Sequence, residues 1–122
     1  MNPHVEPEAI NMTTDRQDGV VSVRVAGRID GSNAIAFQEA VRTAVEDRDR
    51  AMIMDGAELT YVSSAGLRAV LVTAKALSNR DVRFALCALS DHVLEIFEKS
   101  GFDKIMAIHP SKADALVFLE SH

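Results

Sequence analysis

The sequence predicts an α/β domain: a mixed β-sheet of about five strands, opened by an N-terminal hairpin, with about four helices packed on it. Three features carry that expectation. Valine alternates with polar residues over 20–26, the period-two pattern of a half-buried strand. The short continuous apolar run Ala51-Met52-Ile53-Met54 suits a strand covered on both faces. The order strand, helix, strand over 51–86 then implies a right-handed parallel crossover. Doubly wound layering follows naturally, and helices confined to one face of the sheet satisfy the same pattern.

In chain order, residues 1–9 read as a loose leader, because Pro3 and Pro7 bracket polar residues without periodicity, and residues 10–122 read as the domain. Residues 10–14 and 20–26 flank Asp15-Arg16-Gln17-Asp18-Gly19 and form the hairpin. Gly27 to Gly31 interrupts the pattern. Ser32 or Asn33 then caps a helix in which Phe37, Val41, Ala44 and Val45 recur at helical spacing as far as Asp47. The strand at 51–54, ending at Asp55, reads as central to the sheet. A second helix covers 65–78, with Ser64 as its cap and Leu67, Val70, Leu71, Ala74 and Leu77 on its inner side. After the turn residues Ser78-Asn79-Arg80-Asp81, a strand covers 82–86. Ser90 caps a third helix that turns Val93, Leu94 and Phe97 inward and stops at Gly101, with Lys99 in the last turn, where the helix dipole favours a cation. Residues 105–108 read as the last strand. Ser111 and Asp114 make a capping box, with Asp in place of Glu or Gln, opening a helix through Ala113, Leu116 and Val117.

Composition narrows the function. At 122 residues the chain supports one core, and 48% apolar with 25% charged residues is the balance of a folded globular protein. The net charge is −5 and the basic residues are scattered, so the field repels a phosphate backbone and nucleic acid is not expected as a partner. No run approaches the roughly 18 apolar residues of a membrane span, so membrane insertion is not expected either. The single Cys87 lies in an apolar stretch and reads as a buried thiol, which suits a reducing compartment. With no basic start and apolar stretch of a secretory leader, the expected location is the cytoplasm.

Catalytic motifs are missing from the sequence. His4, His92, His109 and His122 have no Cys or carboxylate at metal-ligand spacing, and His92 reads as a solvated or capping residue. Gly27-Arg28-Ile29-Asp30-Gly31 follows a strand but lacks the third glycine of a dinucleotide turn and the lysine of a P-loop. Ser64-Ala65-Gly66 is not a nucleophile elbow. No catalytic residue, metal or cofactor is therefore expected.

The informative stretch is Tyr61-Val62-Ser63-Ser64-Ala65-Gly66-Leu67-Arg68. A serine before a helical run is first an N-cap, worth about 1 kcal/mol. Gly66 costs about 1 kcal/mol against Ala within a helix, so its presence predicts close approach of another backbone or a bound group. A 100° step per residue puts Ala65, Arg68, Ala69, Val72 and Ala76 on the outer side of the second helix. Such small residues let a partner helix come close, with Val72 and Arg68 as anchors.

These residues resemble the STAS domains, and among them the stand-alone anti-sigma factor antagonists. The resemblance covers nearly the whole chain: Gly27-Arg28-Ile29-Asp30 at a strand end, the apolar strand ending in Asp55, the serine turn, and Ser100-Gly101-Phe102 before the last strand. The usual turn of that family reads Asp-Ser-Ser/Thr-Gly-Leu, and its first serine is phosphorylated by a partner kinase. Alignment on Gly66-Leu67 puts that serine at Ser64. Ser63 stands in place of the Asp and becomes a rival acceptor; Ala65 replaces the following Ser or Thr, and Arg68 stands where Gly is frequent.

What the resemblance implies is a STAS-like single domain that docks an anti-sigma factor with serine kinase activity through Asp30, Ser63, Ser64, Ala65, Arg68, Ala69 and Val72. Docking frees a sigma factor, phosphorylation of Ser64 ends it, and a serine phosphatase resets it. ATP and Mg²⁺ belong to the kinase. Two alternatives stay open: a STAS subunit of a transporter or lipid-transport complex that docks on an ATPase without phosphorylation, and a small enzyme or nucleotide-binding domain using Asp30, Asp55 and Ser64.

Overall fold

Asp18 and Gly19 take positive φ angles of 55° and 79°, the left-handed pair that a two-residue hairpin turn needs. The turn joins β1 (Asn11–Gln17) to β2 (Val20–Ile29) in antiparallel register, with Gln17 opposite Val20. The structure, a computed structural model, describes residues 10–120, and the leader expected over 1–9 lies outside them. Pairing thus runs three residues past the expected strand end at Thr14, because the turn is the Asp-Gly pair alone and not the whole polar stretch before it.

β2 is longer than the valine alternation suggests. It pairs in parallel with β3 (Ala51–Asp55) along Val20–Arg24, then shifts register at Gly27, whose φ is 86°, and pairs in parallel with β4 (Leu59–Val62) along its last residues. Beyond β3 lie β5 (Arg83–Cys87) and the two-residue β6 (Ile108–His109), both parallel, so β3 is central as expected. Among the described residues the sheet is mixed and has six strands, β4 being the one the sequence pattern did not mark. The last strand is shorter than the expected 105–108: a 3₁₀ turn at Phe102–Lys104 carries the chain away from β5, and Ile105 is left 63% exposed.

Among the described residues four helices cover the sheet: α1 (Ala34–Ala44), α2 (Ser64–Ser78), α3 (Asp91–Ser100) and α4 (Lys112–Glu120). Alternate side chains of β3 serve the two faces. Met52 and Met54 join Phe37 and Val41 of α1, Leu67 and Val70 of α2 and Phe97 of α3 in the main core. Ala51 and Ile53 join Ala85, Cys87 and the α4 residues Ala115 and Leu119 on the other side. The layering is therefore doubly wound, three helices against one. Full burial of a side chain such as Phe37 or Phe97 contributes roughly 2 to 3 kcal/mol. Burial also pushes the Cys87 thiol up to about 11. Among the described residues no helix is long and apolar enough to cross a membrane.

Helix ends and faces depart from the sequence reading in instructive places. Helix α1 stops at Ala44 and not Asp47, because Arg16 of β1 donates to the Ala44 carbonyl at 2.6 Å and to both carboxylate oxygens of buried Asp49 at 2.8 Å, fixing the loop that follows. On α2, Ala69 is only 1% exposed, so its expected place on the outer, partner-binding side is wrong; Thr73 is buried as well, while Leu71 and Ala74 are half-buried. The reason is that α1 packs alongside α2 and widens the covered arc beyond what the sheet alone would cover. On α4 the Ser111 hydroxyl accepts from Asp114 N–H as the capping box requires, but Ala115 and Leu119 are the buried pair and Val117 is exposed. The ends of α3 follow its reading: Ser90 accepts from Val93 N–H and Gly101 ends it at φ 81°. Val93 and Phe97 are buried as expected, but Leu94 is only half-buried and Ile96 packs on the core in its place.

Candidate functional site

The serine turn is held by the far end of β2. Arg28 and Ile29 stand beside Tyr61 and Val62 of β4, and the next amide, Ser63 N–H, donates to the Ile29 carbonyl at 3.0 Å. The chain then turns directly into α2. Ser63 keeps an extended backbone (φ −83°, ψ 176°) and its hydroxyl accepts from Gly66 N–H at 3.1 Å. Ser63, and not Ser64, is therefore the N-cap. Ser64 is the first residue of the helix, exposed, with its hydroxyl outside the cap.

Gly66 is explained by the same junction. A Cβ there would stand 2.3 Å from the Ile29 carbonyl oxygen and 2.9 Å from both the Ile29 carbonyl carbon and Val62 Cγ1. The close backbone approach expected of this glycine is thus found, and the approaching strand is β2.

The Asp30 loop is built by Asn33, which is only 3% exposed. Its Oδ1 accepts from Asp30 N–H at 2.9 Å and its Nδ2 donates to the Arg28 carbonyl at 2.8 Å. The sequence marked Asn33 only as one of two helix caps; its side chain makes no cap bond to α1 and instead ties the loop on itself. The Asp30 carboxylate accepts from the Ser32 hydroxyl at 2.6 Å and the Ser32 N–H at 2.9 Å, and Arg28 Nε lies 3.4 Å away. These bonds, those from Ser32 above all, hold Asp30 below the usual carboxylate range, so it is ionised.

The two loops are neighbours. A Cβ on Gly31 would lie 4.0 Å from Ala65 Cβ, which sets the Asp30 loop alongside the first turn of α2. Asp30, Ser63, Ser64 and Ala65 are brought together, and exposed Arg68 and Val72 (43%) follow along α2. Ala69 is not part of this surface. Two features escaped the sequence reading. Ile35, in the first turn of α1, is 71% exposed. The Arg28 guanidinium lies 4.5 Å from the Tyr61 ring centroid, and the His92 ring, exposed as expected, also lies over Tyr61 with centroids 6.5 Å apart. The register of β4 against β2 creates this row, and no local pattern announces it. Asp55 is placed elsewhere: its carboxylate, nearly buried, is taken by Arg24 at 3.1 Å and by Ala57 N–H at 2.9 Å.

Chemically, the site offers an exposed hydroxyl at the positive end of a 15-residue helix, with an ionised carboxylate on the neighbouring loop. The mixed sheet thus sets the start of α2, with its two serines, next to the Asp30 loop. The profile of the STAS domain matches residues 11–115, and the chain belongs to that family. BtrV of Bordetella bronchiseptica, whose name is that of an anti-sigma factor antagonist, is 35% identical over 106 residues, covering 87% of this chain and 91% of its own. RsfB of Mycobacterium tuberculosis, named an anti-sigma-F factor antagonist, is 26% identical over 110 residues, 90% of this chain and 89% of its own. Among solved structures, an anti-sigma factor antagonist from Mycobacterium paratuberculosis superposes with a TM-score of 0.81 at 27% identity, covering 93% of this chain and 97% of that one.

Proposed function

We propose that this protein is an anti-sigma factor antagonist: unmodified, it docks an anti-sigma factor that is also an ATP-dependent serine kinase, which frees the sigma factor, and phosphorylation of Ser64 ends the docking. The names of its relatives support the antagonist reading. The observation that carries the choice of acceptor is the division of labour in the serine turn. Ser63 is occupied as the cap, and Ser64 stands free at the helix start. The docking face comprises Asp30, Ser63, Ser64, Ala65, Arg68 and Val72, without Ala69. The buried thiol of Cys87 suits a cytoplasmic setting.

In the modification, the Ser64 oxygen attacks the γ-phosphorus of ATP, the bond to the β-phosphate oxygen breaks, ADP leaves, and the hydroxyl proton passes to a base on the kinase. A phosphatase reverses the state by hydrolysis, releasing inorganic phosphate. The added group carries about −1.5 to −2 charges at neutral pH. The helix entrance tolerates it, since its free N–H groups and dipole favour an anion. A docked partner meets a dianion beside the Asp30 carboxylate, and repulsion with desolvation weakens binding by a few kcal/mol.

The test is incubation with a cognate anti-sigma kinase, ATP and Mg²⁺, followed by peptide mapping. Phosphate is expected on Ser64, lost in Ser64→Ala and kept in Ser63→Ala. Modification of Ser63 instead, or full partner affinity in a Ser64→Asp variant, defeats the reading.

A further inference from the structure

Arg68 follows Ser64 by four residues on α2, and both are exposed. Positions four apart share one face of a helix, roughly 6 Å apart at Cβ, and an anion placed N-terminal to a cation is the favoured orientation. The arginine of the neighbouring loop is already engaged: Arg28 leans on the Asp30 carboxylate at 3.4 Å and over the Tyr61 ring at 4.5 Å. Among the described residues the Arg68 side chain has neither an ion pair nor a hydrogen bond. An unpaired guanidinium thus stands one turn from an unpaired hydroxyl, on the same face.

We propose that Arg68 is the intramolecular counter-ion of phosphorylated Ser64. The planar guanidinium matches phosphate oxygens two at a time, a geometry that lysine does not offer. Phosphorylation then changes the docking face twice. It adds a dianion, and it withdraws Arg68, the cation an acidic group on the partner would meet. This rests on Ser64 being the acceptor. The helix end also favours the phosphate, but it does so equally in any variant at position 68, so the contribution of Arg68 can be isolated.

The experiment uses the full chain with phosphoserine installed at position 64 during translation, so no kinase is needed. Phosphorus NMR follows the second ionisation, ordinarily near about 6. With Arg68 present, this pKa is expected to lie lower by about 0.3 than in Arg68→Gln, and the gap should close in about 1 M salt. Equal values in the two proteins overturn the proposal, and so does a rise in Arg28→Gln with none in Arg68→Gln. Failure of the kinase mapping, by contrast, removes Ser64 as acceptor and leaves this titration untouched, so the two ideas fail separately.

Discussion

Replacing Gly66 by alanine sets two effects of opposite sign against each other. In an exposed helix the change is favourable by about 1 kcal/mol, because alanine is the better helix former. Here the added methyl would stand 2.3 Å from the Ile29 carbonyl oxygen, where ordinary contact begins at 3.4 Å. The first turn of α2 must therefore back away from β2 by about 1 Å. That movement strains the bond from Ser63 N–H to Ile29, now 3.0 Å, and the Ser63 cap on Gly66 N–H, now 3.1 Å. Overpacking of this kind costs roughly 1 to 3 kcal/mol, and loss of the cap adds about 1. After the helix-propensity gain, the net destabilisation is about 2 kcal/mol, out of roughly 5 to 15 for a domain of this kind. Urea unfolding followed by circular dichroism should show a lower midpoint at unchanged slope, with Tm down by roughly 8 °C. A midpoint at or above that of the parent chain would refute the close approach as the reason for the glycine.

Three further outcomes follow from the same junction and its surroundings. Ser63→Ala should lose about 1 kcal/mol in the same assay and Ser64→Ala almost nothing, since only Ser63 accepts a cap bond; equal losses would put the cap back in doubt. Val72→Glu should abolish partner capture in a pull-down while leaving Tm unchanged, whereas Ala69→Glu, with the side chain forced into the core, should cost about 4 kcal/mol. Arg16 holds Asp49 below its ordinary carboxylate value, chiefly by their hydrogen bonds. A folded value below the unfolded one means that stability is present above about pH 4 and is lost as the pH falls through the folded value. Asp49→Asn should therefore cost about 2 kcal/mol at pH 7 and progressively less as the pH falls through the folded value, and a gap between the two proteins that stays constant with pH contradicts the pairing.

The features legible in the sequence were those with a local physical cause. The apolar run at 51–54 is buried because nothing in it can face water, and it sits at the centre of the sheet. Ser90 and Gly101 bracket α3 because a hydroxyl and a left-handed residue serve helix ends wherever they occur. Gly66 was marked as misplaced in a helix, which correctly announced a close neighbour. β4 was not legible, since over Leu59–Val62 only the two end residues are buried and no alternation develops. The end of α1 escaped too, because the group that holds it, Arg16, is 28 residues away in sequence from the carbonyl it binds.

By itself, then, the chain determined an α/β domain with its hairpin, its central strand and a serine-led helix, since period, caps and turn residues act over a few positions and are written there. Tertiary structure alone decided which serine caps and which is free. That choice follows from where the Ile29 carbonyl meets the incoming amide and forces Gly66 against β2. It also decided that Ala69 turns inward beneath α1 and that the Asp30 loop, tied on itself by Asn33, runs past the first turn of α2. The packing of α1, β2 and α2 joins segments far apart in sequence, and its geometry exists only once the sheet has brought the strand ends together.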